Sequence, residues 1–203
     1  TRVSLKIGFI SLMGGAFVGC VLGAISGYFG GAVDTVIMRF TDILMAIPRI
    51  VLAIFIASAL GPGLTNAMIA VAISSVPNFA RIVRASTLTI KDQEYVEAAQ
   101  CIGANNFHII MQHVFPNILA PIIVQATLGV GTAIILAASL SFLGLGVQPP
   151  TPEWGGMLSA ARTYMRDYPH MVIFPGLAIM VTVLALNLFG DGLRDALDPK
   201  LKK

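Results

Sequence analysis

The chain has 203 residues, 56% of them apolar and 11% charged, with a net charge of +3 and a mean hydropathy of +0.84. A soluble domain carries about 25% charged residues, so there is too little polar surface here to cover one, and disorder, a disulfide scaffold and a nucleic-acid-binding domain are excluded with it. What remains is an integral membrane protein, whose small positive charge bears on orientation and names no acidic partner.

The first run free of Asp, Glu, Lys and Arg extends from Ile7 to Val33. A bilayer span needs about 20 apolar residues, and the run does not alternate as a barrel strand would, so a helix is expected over 7–28. Gly15, Gly19, Gly23, Gly27 and Gly31 fall four apart within and just beyond it. On a helix they form one stripe where another backbone can approach closely. The stripe reads as a helix interface; the spacing leaves open whether it belongs to a transporter core or to ordinary bundle packing. Cys20 lies in the same run as a small packing residue, and Cys101 is too distant for a metal or redox motif.

Residues 29–42, with Asp34, Arg39 and Asp42, are expected to be a short loop. Spans follow over 43–60 and 64–82, divided by the turn signal Gly61-Pro62-Gly63. Residues 83–116 form a long polar insertion, 117–143 the next span, 144–170 a segment rich in Pro and aromatics, and 171–190 the last span. The chain opens on Thr1-Arg2 without a recognisable cleavable signal, which suggests a longer gene product.

Orientation follows from Lys and Arg. Arg39, Arg81, Arg84, Lys91, Arg194, Lys200, Lys202 and Lys203 fall on one side, and Arg2, Lys6, Arg162 and Arg166 on the other. Arg49, near a helix end, is counted on neither. The insertion and the C-terminus are therefore expected in the cytoplasm and Thr1 outside, with an upstream helix completing six.

Enzyme motifs are missing: there is no Gly-Lys pair and no His-Glu-x-x-His, so no catalytic residue, metal or cofactor is expected. His108 and His113 are five apart, which turns them off a common helical face; His170 is a single interfacial histidine. No span carries Asp, Glu or Lys near its middle, which disfavours an ion-coupled carrier. Gln125, Thr127, Thr132, Thr182 and Asn187 are the polar residues at depth, there to touch a solute or to bond between helices. A transport protein of this kind draws its energy from outside itself.

The insertion carries Thr89 and Asp92 as a helix start, Ala98 and Ala99 as helix formers, and Gly103 as a left-handed stop. A second short helix is expected from about 106 to 115, stopped at Pro116. Two short helices outside the bilayer make a lever, or else an ordinary amphipathic surface element.

Glu97-Ala98-Ala99, followed by Gly103 and by Phe115-Pro116, resembles the EAA loop of ABC-importer permeases. His113, where the general family prefers Ile, is similar to the dipeptide/oligopeptide subfamily. So are Asp42-Ile43-Leu44 with Ile47-Pro48-Arg49, Ala80-Arg81-Ile82-Val83-Arg84, His113-Val114-Phe115-Pro116-Asn117, Leu140-Ser141-Phe142-Leu143-Gly144-Leu145-Gly146, Pro152-Glu153-Trp154-Gly155, and the stretch from Gly190 to Pro199.

The resemblance covers essentially the whole chain. It implies an all-α type I importer transmembrane domain, of MetI-like fold, in the cell inner membrane, with the C-terminus cytoplasmic. It also implies the C-type member of a permease pair, two ATPase subunits below, a solute-binding protein above, and no cofactor. Glu94, Tyr95, Val96, Glu97, Ala98, Ala99, Gly103 and Ala104 would couple to the ATPase. Glu97 would pair with a basic residue there, and the Ala98-Ala99 face would enter its groove. The solute would be a dipeptide or oligopeptide; glutathione and nickel are open alternatives within the family. A secondary carrier or channel and an intramembrane hydrolase are the readings from other classes.

Overall fold

The computed structural model describes residues 2–197. The Lys200, Lys202 and Lys203 cluster and the Asp198-Pro199 motif lie outside the described residues. All the regular structure in that range is helical: α1 (Arg2–Phe29), α2 (Gly31–Ala46), α3 (Arg49–Leu60), α4 (Leu64–Lys91), α5 (Glu94–Cys101), α6 (Asn106–Ile109), α7 (Leu119–Phe142), α8 (Trp154–Ala161) and α9 (His170–Leu197). A π-turn (Ile110–Val114) and a 3-10 turn (Phe115–Ile118) join α6 to α7 without a break. Four of these stretches are long and apolar enough to cross a bilayer: α1, α4, residues 106–142 and α9. The bent pair α2–α3 makes a fifth.

Several boundaries differ from the expected ones. The segment expected as a loop, 29–42, is mostly α2, and its two carboxylates are paired with α4: Arg84 grips Asp34 and Arg81 bonds Asp42 at 2.8 Å. Gly30 and Gly31 take positive φ and turn the chain from α1 into α2, so Gly31 does not continue the stripe. A single span over 43–60 is replaced by two helices meeting at 93°. Pro48 has no N–H to donate, and it holds Ile47 in extended geometry (φ −92°, ψ 128°), which ends α2.

Helix α4 continues to Lys91, so Thr89 is no helix start; its hydroxyl bonds back to the Ala85 and Ser86 carbonyls. Asp92 closes α4, and Gln93 precedes α5 without a side-chain cap bond. Pro116 does not stop the chain either. The chain passes through it from a π-turn, where the Phe115 N–H reaches the Ile110 carbonyl, into a 3-10 turn, and Asn117 donates its amide to the His113 carbonyl at 2.6 Å.

The order of contacts fixes the path. Gly15 meets Ala72 and Ser75, and Gly27 meets Arg84 and Thr87, so α1 and α4 run parallel. Parallel neighbours require the chain between them to return to its starting end, so α2 and α3 together make one traverse. Helix α7 runs back, and its end meets the start of α4 where the Gly63 N–H donates to the Leu145 carbonyl at 3.4 Å. Helix α9 lies antiparallel to α7, with Gly131 against Val183 and Gly190 against Leu128. The core is built from α1, α4 and α7, around Ile7, Leu12, Phe79, Val83, Ile134 and Leu140. Helix α9 buries little beyond Pro175 and Gly190, and its large apolar side chains face outward.

Between α7 and α9, Trp154 is buried and Gly155 seats its Cα beside the Ala138 backbone. Glu153 is buried too. It accepts the Gly156 N–H at 2.9 Å as the cap of α8, and the Ser4 hydroxyl at 3.5 Å. That ties α8 to the start of α1.

Candidate functional site

The end of the bundle carrying α5 and α6 holds the expected coupling residues. In α5, Val96 and Ala99 point inward and are buried, while Glu94, Tyr95, Glu97, Ala98 and Gln100 are exposed. The expected Ala98-Ala99 face is therefore split: three-residue spacing carries Val96 and Ala99 to the bundle and leaves Ala98 outside. Gly103 ends the helix at φ 80°, and two backbone bonds close it, Gly103 N–H to Gln100 at 3.0 Å and Ala104 N–H to Ala99 at 3.1 Å. This six-to-one, five-to-two pairing favours glycine because a Cβ resists the left-handed region.

Asn105 then opens α6 by accepting the His108 N–H at 2.7 Å. The Tyr28 hydroxyl, at the end of α1, donates to Asn106 at 3.1 Å and ties α6 to α1.

Composition gave no notice of what crowns this end. Ile102 is 85% exposed and Phe107 73%, on either side of the Gly103 turn. A polar cleft of about 550 Å³ lies between the end of α1 and α5, lined in part by Tyr28, Lys91, Asp92, Glu97 and Gln100. The surface thus combines two apolar knobs with a carboxylate rim. The usable sequence signal was the polar context of two bulky apolar residues. His108 and His113, expected apart, have ring centroids 6.1 Å from each other, and Tyr95 stands 6.3 Å from His113. The π-turn advances more residues per turn, so positions five apart come to share a face. Among the described residues no three His, Cys, Asp or Glu groups converge as a metal site.

The second set of residues lies along α1. An added Cβ would stand 2.9 Å from Ser75 Cβ at Gly15, 2.5 Å from Phe79 Cβ at Gly19, 2.8 Å from Val83 Cβ at Gly23 and 2.7 Å from Thr87 Cβ at Gly27. All four glycines are buried against α4, and side chains there would displace backbone.

One charged residue near a helix end proves central. Arg49, the first residue of α3, is half-buried. It donates from Nη2 to the Ser75 hydroxyl at 2.7 Å and from Nη1 to the Thr132 hydroxyl at 3.3 Å, and its buried Nε has no acceptor. The Pro48 break is what turns it inward. Thr127 and Thr132 bond carbonyls of their own helix, so of the polar residues at depth only Thr132 is used between helices through its hydroxyl.

The arrangement of helices is that of ABC importer membrane subunits. The chain superposes on a chain of the MetNI methionine ABC transporter with a TM-score of 0.76 at 18% identity, covering 97% of this chain and 94% of that one. A structure of an amino acid ABC transporter matches with a TM-score of 0.70 at 16% identity, covering 97% and 91%. Residues 19–203 match the model of the binding-protein-dependent transport system inner membrane component family, and the chain belongs to that family. It is a multi-pass membrane protein of type I importer fold.

It is 53% identical over 201 residues to the dipeptide transport system permease protein DppC of Alkalihalophilus pseudofirmus, covering 99% of this chain and 66% of that protein. It is 52% identical over 202 residues to the glutathione transport system permease protein GsiD of Pectobacterium atrosepticum, covering 100% and 67%. The chain thus spans about two thirds of the length of the curated relatives it matches.

Proposed function

We propose that the chain is the translocating core of one permease in an ATP-driven importer of short peptides. The observation that carries this reading is identity above 50% across the whole chain to permeases named for a dipeptide and for glutathione. Both names denote short peptides, so the shared solute class is a peptide bearing free carboxylate. The pathway runs between this subunit and a second, similar permease. Hydrolysis belongs to a pair of separate ATPase subunits, and a solute-binding protein delivers from the opposite side.

The end bearing α5 and α6 is cytoplasmic in this reading, as the excess of basic residues toward that end supports. Residues 61–63 and 144–170 then face outward, and residues 1–203 act as a single transmembrane domain. The ATPase engages the surface around the Gly103 turn: Ile102 and Phe107 fill apolar recesses, and Glu94 and Glu97 answer basic groups. When nucleotide closes the ATPase pair, the lever moves. Tyr28 and the glycine seam then carry that motion into α1 and α4 as one body.

The test is uptake of labelled dialanine and of glutathione by vesicles holding the full complex with its binding protein. ATP-dependent uptake of a peptide, lost in a complex lacking this subunit, is the expected result. Uptake driven by an ion gradient without ATP would overturn the reading.

A further inference from the structure

The elbow between α2 and α3 holds a cation where cations are costly. Its depth can be measured within the chain. The start of α4 and the end of α7 share one face, joined by the Gly63–Leu145 hydrogen bond. Ser75 lies eleven residues after Leu64, and Thr132 ten before Phe142. At 1.5 Å per residue both are about 15 Å below that face, half of a hydrocarbon layer of about 30 Å. Arg49 bonds to both. At that depth it is beyond reach of lipid phosphate.

Among the described residues the Arg49 side chain has no carboxylate within 4 Å. The two hydroxyls it touches have already given their protons to the Val71 and Gly129 carbonyls, so they offer lone pairs and no charge. Each Nη uses one N–H on a hydroxyl and keeps a second, and the buried Nε is unpaired. Beside it the chain is unwound at Ile47 and Pro48, and both residues are exposed. Non-helical backbone at membrane depth persists only where protein buries it or a water-filled cavity adjoins it. Broken helices with an unbalanced charge at the midplane mark solute sites in transporters.

We propose that Arg49 is the anion-binding residue of the translocation pathway, taking a terminal carboxylate of the peptide as it passes the α2–α3 elbow. The inference rests on the peptide-importer reading above. Ser75 and Thr132 are positioning residues that hold the guanidinium, and its planar fork matches a carboxylate in a way that an ammonium does not.

The experiment uses the reconstituted full complex, with dialanine and dialanine amide as probes. Each is supplied at the concentration that gives equal wild-type uptake, so that capture by the binding protein is held level. Arg49→Gln is expected to lower uptake of the acid at least tenfold while leaving the amide within about twofold of wild type. Arg49→Lys, which keeps a charge, is expected to recover part of the acid uptake.

An equal fall for both probes would make Arg49 a packing staple or the partner of a carboxylate on the second permease, and would overturn the proposal. Unchanged uptake of both would overturn it too. If Arg49→Gln does not assemble, the acid-to-amide ratio in Arg49→Lys decides: a lowered ratio supports the proposal and an unchanged one overturns it. A wild-type complex that transports neither probe with ATP would remove the importer reading itself.

Discussion

Arg84 grips Asp34 with both arms of its guanidinium, Nε to Oδ1 at 2.5 Å and Nη2 to Oδ2 at 2.6 Å. The pair joins α4 to α2 across fifty residues of sequence, and the Ser26 hydroxyl of α1 donates to the same carboxylate. Three helices thus meet at one acid.

Substituting Asp34→Asn leaves the guanidinium without its counter-charge in a half-buried place. Charge-assisted hydrogen bonds contribute roughly 1.5–3 kcal/mol each, so the purified subunit in detergent should melt at a clearly lower temperature. Arg84→Gln should do the same. The double variant should lose less than the sum of the two, because each single change strands the other partner. Strict additivity in a thermal unfolding series would show that the pair is not coupled.

The glycine seam allows a matched comparison. Gly19→Ala would drive a methyl into Phe79 and the α4 backbone, whereas at Gly14 the nearest atom to an added Cβ is Ala72 Cβ at 3.7 Å. Overpacking costs about 1–3 kcal/mol, and backbone cannot withdraw as a side-chain tip can. Gly19→Ala and Gly23→Leu are expected to reduce yield and thermal stability, and Gly14→Ala to leave both near wild type. Equal tolerance at Gly14 and Gly19 would mean that α1 and α4 do not approach this closely.

Coupling is tested at the Gly103 turn. Gly103→Asp forces a side chain into a left-handed conformation at about 1–2 kcal/mol, and Glu97→Lys reverses a charge on the exposed rim. In vesicles both should sharply reduce uptake and the stimulation of ATP hydrolysis by loaded binding protein, while the permease still inserts. Ile102→Glu should weaken retention of the ATPase through salt washes. Wild-type values in all three variants would remove this end of the bundle from the coupling surface.

Sidedness has a direct test. Trp154 is buried, so a cysteine there would be shielded on either side of the membrane; Met165, 57% exposed, is the better site. In intact cells a membrane-impermeant thiol reagent should label Met165→Cys and spare Ile102→Cys, in a background lacking Cys101. The reverse pattern would invert the orientation.

The apolar traverses were legible because hydrophobic runs of bilayer length admit little else. The glycine stripe was legible as an interface through its four-residue period. The charged segment 29–42 was not legible as a helix: Asp34 and Asp42 pair with Arg84 and Arg81 of α4, and no local pattern announces a partner about forty or fifty residues away. Arg49 lies near a helix end in the sequence, and only its bonds to Ser75 and Thr132 reveal that it points inward. In and just after α5, Glu97 and Gly103 are legible from their motif. The outward pair Ile102 and Phe107 is not, since exposure of an apolar residue is decided by packing that the sequence does not display.

The π-turn at Ile110–Val114 also sets an angular phase. A helix advances about 100° per residue, so one residue added to or removed from this turn would turn α6 by roughly that angle about the axis of α7, while α5 stays held to the end of α4. The Tyr28–Asn106 bond is made at the present setting. The turn therefore acts as an indexing joint: its length determines which face of α6 looks away from the bundle. Single-residue deletions there should be far more damaging than substitutions at the same positions.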